Sequence, residues 1–321
     1  MTHRAWTRFA LLALLFVFLP GMSKAQTEAE KAELKGIVDI HAHSGPDYIP
    51  RRYDGLQFAK RAKELGFRGA VMKSHELPTS QMVYFIRQLV PGFEAWGTVV
   101  LNRSVGGINP RVVEMQAQVE GHFLKFVFMP TNDAENPTKH EKNLPYVAVS
   151  KDGKLLPAVF DVFKVIKQYD LVLCTGHVVP ADALLLVHAA KDFGLTRVVV
   201  THPALEGTTI PQMQEEASTG AFIELTSNQI IPVNQDGTDK IIPNPPSHQP
   251  SEYAGIIKAV GAEHIILSGD FGRPDYINFI PGWPMAIAAL KNVGVTQAQI
   301  DIMAKKNPAH VLGMDDAKPA K

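Results

Sequence analysis

Short apolar runs punctuate this chain at nearly regular intervals, and few of them alternate between hydrophobic and polar positions. Runs at 36–41, 69–73, 95–101, 124–129, 171–177, 197–202, 221–226 and 264–270 are rich in Val, Ile and Phe and bounded by turn residues. A strand that is apolar on both faces is covered on both faces, which is the habit of parallel sheets. Between these runs the pattern becomes helical, with start and stop residues in place. Asp54 precedes 56–65, which Gly66 closes, and Asn109-Pro110 precedes 111–119, which Gly121 closes. Pro180 opens 181–193 before Gly194, and Ser251 opens 253–260. Eight strand–helix units over about 290 residues predict an α/β fold, a (β/α)₈ TIM barrel, with a doubly wound open sheet as the alternative.

Two connections are long. Segment 130–157 follows strand four and carries Asp152-Gly153, a hairpin-turn pair. Segment 227–250 follows strand seven and is rich in Pro, Asn and Gln. Both follow strands, so both are expected over the C-terminal mouth as lids or substrate walls.

The N-terminus lies outside the barrel pattern. Arg4 and Arg8 precede an apolar core, and Ser23-Lys24-Ala25 places small residues where a signal peptidase reads. Residues 1–25 therefore read as a secretory signal, 26–313 as the barrel domain and 314–321 as a polar tail. A periplasmic or secreted location follows, with no stable membrane insertion after cleavage. The whole chain has 32 basic and 32 acidic residues; removing the signal leaves 29 against 32. That balance implies no nucleic-acid surface. The lone Cys174 sits in an apolar run and reads as a buried hydrophobe.

The histidines sort themselves by strand. His41 and His43 end strand one, spaced so that both leave from the same side. His177 ends strand five, His202 strand six, and Asp270 strand eight. Five such groups at matching strand ends point to a bound divalent cation, since imidazole and carboxylate together suit Zn, Mn or Fe.

In this arrangement the chain resembles the amidohydrolase superfamily, with His-x-His after strand one, single histidines after strands five and six, and an aspartate after strand eight. Asn307-Pro308-Ala309-His310-Val311-Leu312-Gly313 is similar to a signature near the end of many members, and His41-Ala42-His43-Ser44-Gly45-Pro46-Asp47 resembles the opening of a poorly characterised branch. The resemblance implies that His41, His43 and His177 bind metal, that His202 is a ligand or an oxyanion donor, and that Asp270 is both ligand and general base. Superfamily members with two metals carry a bridging Lys or Glu at the end of strand four. Here that end is Phe128-Met129-Pro130-Thr131, which favours a single ion, zinc first, with Mn or Fe as alternatives. Lys73 and His75 after strand two stay open between bridge, added ligand, substrate contact and a salt-bridged residue at the mouth. Asp47, Thr131, His140 and Arg273 are further candidates for substrate contact, with a loop-fixing ion pair as the plain alternative for Asp47 and Arg273.

These readings lead to a metal-dependent hydrolase using activated water on a small amide, ester or lactone. Two alternatives stay open: a mononuclear decarboxylase or C–C lyase, for which Lys73 and Arg273 would bind carboxylate, and a non-catalytic metal- or solute-binding barrel. The expected partner is a small molecule, with homo-oligomer formation left open.

Overall fold

The computed structural model describes residues 31–136, 144–232, 246–274 and 276–314, so the signal segment, His140 and the polar tail after Met314 lie outside the described residues. Eight strands follow one another round a single sheet: β1 Val38–His43, β2 Gly69–Lys73, β3 Glu94–Val100, β4 Leu124–Phe128, β5 Val172–Cys174, β6 Val198–Val200, β7 Phe222–Thr226 and β8 Ile265–Ser268. Each neighbouring pair along that order is parallel. After each strand comes a helix: α1 Gly55–Glu64, α2 Ser80–Leu89, α3 Pro110–Ala117, α4 Pro157–Gln168, α5 Pro180–Phe193, α6 Ile210–Ser218, α7 Pro250–Val260 and α8 Phe279–Asn292. First and last strands meet just past β8. The Asp270 amide donates to the His41 carbonyl at 2.8 Å, and the His43 amide to the Phe271 carbonyl at 3.0 Å. The (β/α)₈ barrel expected from the hydrophobic pattern is the fold that forms, and the open sheet is excluded.

Two apolar layers build it. Val38, Ile40, Val71, Phe126, Phe128, Val172, Cys174, Val199 and Ile266 fill the barrel, while the intervening residues pack outward beneath the helices. β1 breaks this alternation. Val38 and Ile40 belong to the interior and Ala42 to the outer layer, and the β1–β2 register shifts between Asp39 and Ala42. This bulge lets Ile40 and His41 both face inward, so that His43 does too, while Asp39 turns outward to α8. There the indole of Trp283 donates to Asp39 Oδ2 at 3.3 Å, which gives a fully buried Trp its polar partner. The amides of His41 and Gly269 donate to Asp39 Oδ1 at 3.0 and 2.9 Å, so one carboxylate ties together both sides of the closure.

The signature near the C-terminus has a packing explanation. Ala309, Val311, Leu312 and Met314 join the interior layer, and the Asn307 amide donates to the carbonyls of Ala262 and Ile265 at the start of β8. The long connection after β4 forms the expected hairpin, Ser150–Lys151 with Lys154–Leu155, and Asp152 and Gly153 both take positive φ at its turn. At α7 the helix starts at Pro250, ahead of the expected 253–260, because Pro250 takes the first helical position and Gln249, not Ser251, caps it. Strands β5, β6 and β8 end earlier than the apolar runs imply, leaving His177, His202 and Asp270 in the turns beyond them.

Candidate metal centre

Five imidazoles form a ring over the C-terminal ends of the strands. Ring centroids are separated by 5.2 Å from His41 to His43, 4.8 Å from His43 to His75, 5.4 Å from His75 to His177, 4.9 Å from His177 to His202, and 5.7 Å from His202 back to His41. Asp270 enters from the β8 side, its Oδ1 3.3 Å from Nε2 of both His41 and His43. The local backbone is bent to allow this. His202 and Asp270 adopt φ of 24° and 53°, conformations that ordinary side chains avoid and that cluster where a site over-determines them.

The spacing fits a cation. Tetrahedral bonds of about 2.0–2.1 Å place neighbouring ligand atoms roughly 3.3 Å apart. Asp270 Oδ1 stands at that spacing from His41 and from His43, and the donor atoms of His41, His202 and Asp270 all lie within 4.8 Å of one another. A second group, His177, His202 and Glu206, meets the same limit. Among the described residues the buried Nδ1 of His43 has no hydrogen-bond partner, and Nδ1 of His202 lies 3.2 Å from Glu206 Oε1 without hydrogen-bond alignment. Nitrogen and oxygen donors of this kind suit Zn, Mn or Fe.

Charge states are arranged for the same purpose. Burial lowers His43 to about 3 and pushes His75 well below the usual imidazole range, so both rings stay neutral and keep a lone pair. Burial alone would raise Asp270, but His41 and His43 outweigh it and hold the carboxyl well below the usual range. Glu224, on β7, is likewise ionised because His41 overrides the burial penalty. As an acceptor only, Glu224 Oε1 accepts from the Nδ1–H of His41 at 3.0 Å, which turns Nε2 toward Asp270 and Lys73. Glu224 also receives the Ser268 hydroxyl at 2.7 Å and the His202 amide at 3.3 Å.

Lys73 is fully buried beneath the ring. Its Nζ lies 2.9 Å from His41 Nε2 and 4.2 Å from the centroid of the Phe128 ring, which stands where a strand-four ligand would project. Burial lowers this lysine to about 8. His75 projects past it into the ring, its Nδ1 fixed 2.9 Å from the Thr131 hydroxyl, which in turn accepts from Asn102 at 2.9 Å.

A cavity of about 250 Å³ opens over the ring, walled by the five histidines and Asp270 together with Tyr48, Arg51, Asn132, Arg273 and Tyr276, among others. Arg273 reaches this wall, its guanidinium stacked 4.9 Å over Tyr276. Asp47 and Thr131 are not part of it. Asp47 is buried in an ion pair with Arg51 at 2.6 Å, and Thr131 stands behind His75. A larger cavity of about 640 Å³ lies beside the hairpin, lined by Tyr146, Ser150 and Asp182 among others, away from the ring. Sequence reasoning missed three residues. Glu224 was signalled by an acid inside an apolar strand, and Glu206 by its place four residues after His202; Arg51, in a polar loop, gave no signal.

Residues 36–224 match the model of a family described only as a family of unknown function, DUF6282. Among solved structures, the chain resembles an amidohydrolase from Pseudomonas aeruginosa at 12% identity and TM-score 0.58, covering 89% of this chain and 99% of that one. A 2,6-dihydroxybenzoate decarboxylase from Rhizobium follows at 12% identity and TM-score 0.56, with 88% and 99% covered. The organophosphorus hydrolase from Deinococcus radiodurans matches at 13% identity and TM-score 0.53, with 88% and 94% covered. At such identities the likeness establishes a shared fold. A search of curated proteins finds no match.

Proposed function

The chain belongs to the DUF6282 family, and from the site carried largely within the matched span we propose a metal-dependent hydrolase acting on a small amide, ester or lactone. In this reading one ion, zinc first, is held by His41, His43 and Asp270 and completed from His177 and His202. The observation that carries it is the position of Asp270 Oδ1, 3.3 Å from Nε2 of both His41 and His43.

When bound, a divalent ion polarises a carbonyl oxygen and lowers the pKa of a water toward neutrality. Asp270, kept ionised, takes the proton from the attacking water and returns it to the leaving nitrogen or oxygen. Glu224 holds the His41 tautomer, and the cavity wall orients the substrate. The segment 1–25 fits export, with the enzyme working in the periplasm or outside the cell.

Elemental mass spectrometry on the mature protein tests the reading. About one equivalent of zinc, lost in the His41→Ala/His43→Ala double variant, is expected and justifies an ester, amide and lactone screen. No metal after reconstitution overturns it. A mononuclear decarboxylase is the second reading, favoured by Phe128 in the strand-four position and by the cationic wall. Release of CO₂ without consumption of water separates the two.

A further inference from the structure

Arg51 is the most unusual side chain in the cavity wall. Its side chain is 2% exposed, yet it sits in a loop after β1 and faces the same cavity as the imidazole ring. Nε is committed to Asp47 Oδ2 at 2.6 Å. Nη2 is buried and, among the described residues, has no hydrogen-bond partner. A guanidinium cannot shed its charge, so an unmet donor on it is costly to bury and asks for an acceptor.

The residue is also built into place. Asp47, which orients it, is buried and receives the Ser74 hydroxyl at 2.7 Å and the Tyr48 amide at 2.8 Å. The guanidinium therefore cannot swing out to solvent without abandoning a buried carboxylate. Its charge reaches the ring, acting on both His43 and His75. Arg273 stands in the same wall, while Asp270, the acid in that wall, is turned to the histidines. Cations thus line the wall facing the metal position.

We propose that Arg51 binds a carboxylate of the substrate, so that the molecule presented to the centre is an anionic amide, ester or lactone. With Nε fixed by Asp47, the unmet and always-charged Nη2 is a donor to which a carboxylate oxygen is a fitting acceptor. Asp47 is then a positioning residue, acting through Arg51. The assignment of the reacting bond rests on the hydrolase reading; the anion site itself does not, because binding is measured without turnover.

The test is calorimetric titration of succinate and of succinamide, its neutral diamide, into metal-loaded and chelator-treated protein. In the wild type, succinate should bind about 10- to 100-fold more tightly than succinamide in both forms. Arg51→Met should erase that preference while zinc content stays unchanged, and Arg51→Lys should retain part of it. Equal binding of succinate and succinamide to the wild type overturns the proposal, as does an Arg51→Met protein that binds succinate normally. Inorganic phosphate binding more tightly than succinate overturns the carboxylate assignment. Should Arg51→Met fail to fold, Arg51→Lys decides: an undiminished preference for succinate in that variant overturns the proposal. If the protein takes up no metal, the chelator-treated arm still reads Arg51, which keeps the failure of one reading distinct from that of the other.

Discussion

Lys73 Nζ lies 2.9 Å from His41 Nε2, so the nitrogen that a metal needs already faces a cation of the chain. Glu224 holds the opposite edge of the same ring. His41 is therefore poised between a fixed anion on one side and a point where two cations compete on the other. At an effective dielectric near 20, a unit charge about 4 Å from another costs about 4 kcal/mol when the signs are alike. Lys73→Met should accordingly tighten zinc binding about tenfold or more, measured by competition with a chromogenic chelator. Loss of zinc in that variant would instead make Lys73 a ligand.

Glu224→Gln keeps an acceptor opposite His41 but removes the charge that fixes which nitrogen carries the proton. Partners of this kind are typically worth 10- to 100-fold in metal affinity. The expected result is zinc affinity reduced by about that range with an unchanged far-ultraviolet dichroism spectrum. Wild-type affinity in Glu224→Gln would assign the carboxylate to folding alone.

Glu216, on α6, is buried with neither carboxyl oxygen hydrogen-bonded, and burial raises it from 4.5 to about 8. The unfolded chain loses this proton near 4.5 and the folded protein keeps it to about 8. Stability from this group is thus intact below the lower value and falls as pH rises across the window, levelling above it. The loss is on the order of 5 kcal/mol at most. Glu216→Gln should raise the urea midpoint at pH 9 and leave it nearly unchanged at pH 4. A wild type whose stability is flat between pH 5 and 8 would contradict this.

Asp39 serves the barrel closure. Its carboxylate accepts from His41, Gly269 and Trp283, and removing it strands three buried donors. Asp39→Ala should destabilise the protein by about 3–5 kcal/mol by denaturant unfolding and weaken zinc binding through the His41 backbone. A stability change below about 1 kcal/mol would remove Asp39 from that role.

The barrel is legible in the sequence because parallel strands bury both faces and leave long apolar runs that need no tertiary information to be seen. Placing His41, His43, His177, His202 and Asp270 at one end required only the strand order, and all five line one cavity. The further members were hidden for separate reasons. His75 is recognisable as a candidate from its spacing to Lys73, but its place in the ring depends on Thr131 and Asn102 from other strands. Asp47 reads in the sequence as a substrate contact or half of an ion pair; its partner Arg51 is four residues away in a loop whose path periodicity does not describe. Glu224 looks like an error in an apolar strand until the inward face of β7 is known.

The bulge in β1 has a consequence for how this protein can change. Side chains along a strand are dealt alternately to two rooms, and one surplus residue in β1 resets the deal halfway along. Before the reset, Asp39 goes to the seam under α8; after it, His41 and His43 go to the chamber. Were β1 paired at its full length without this surplus, plain alternation from Val38 would send both imidazoles to the helices. Loops around the mouth can lengthen, shorten or exchange residues and yield new substrate preferences, but the phase of this single strand cannot drift, because the frame that closes the barrel and the frame that arms it are the same.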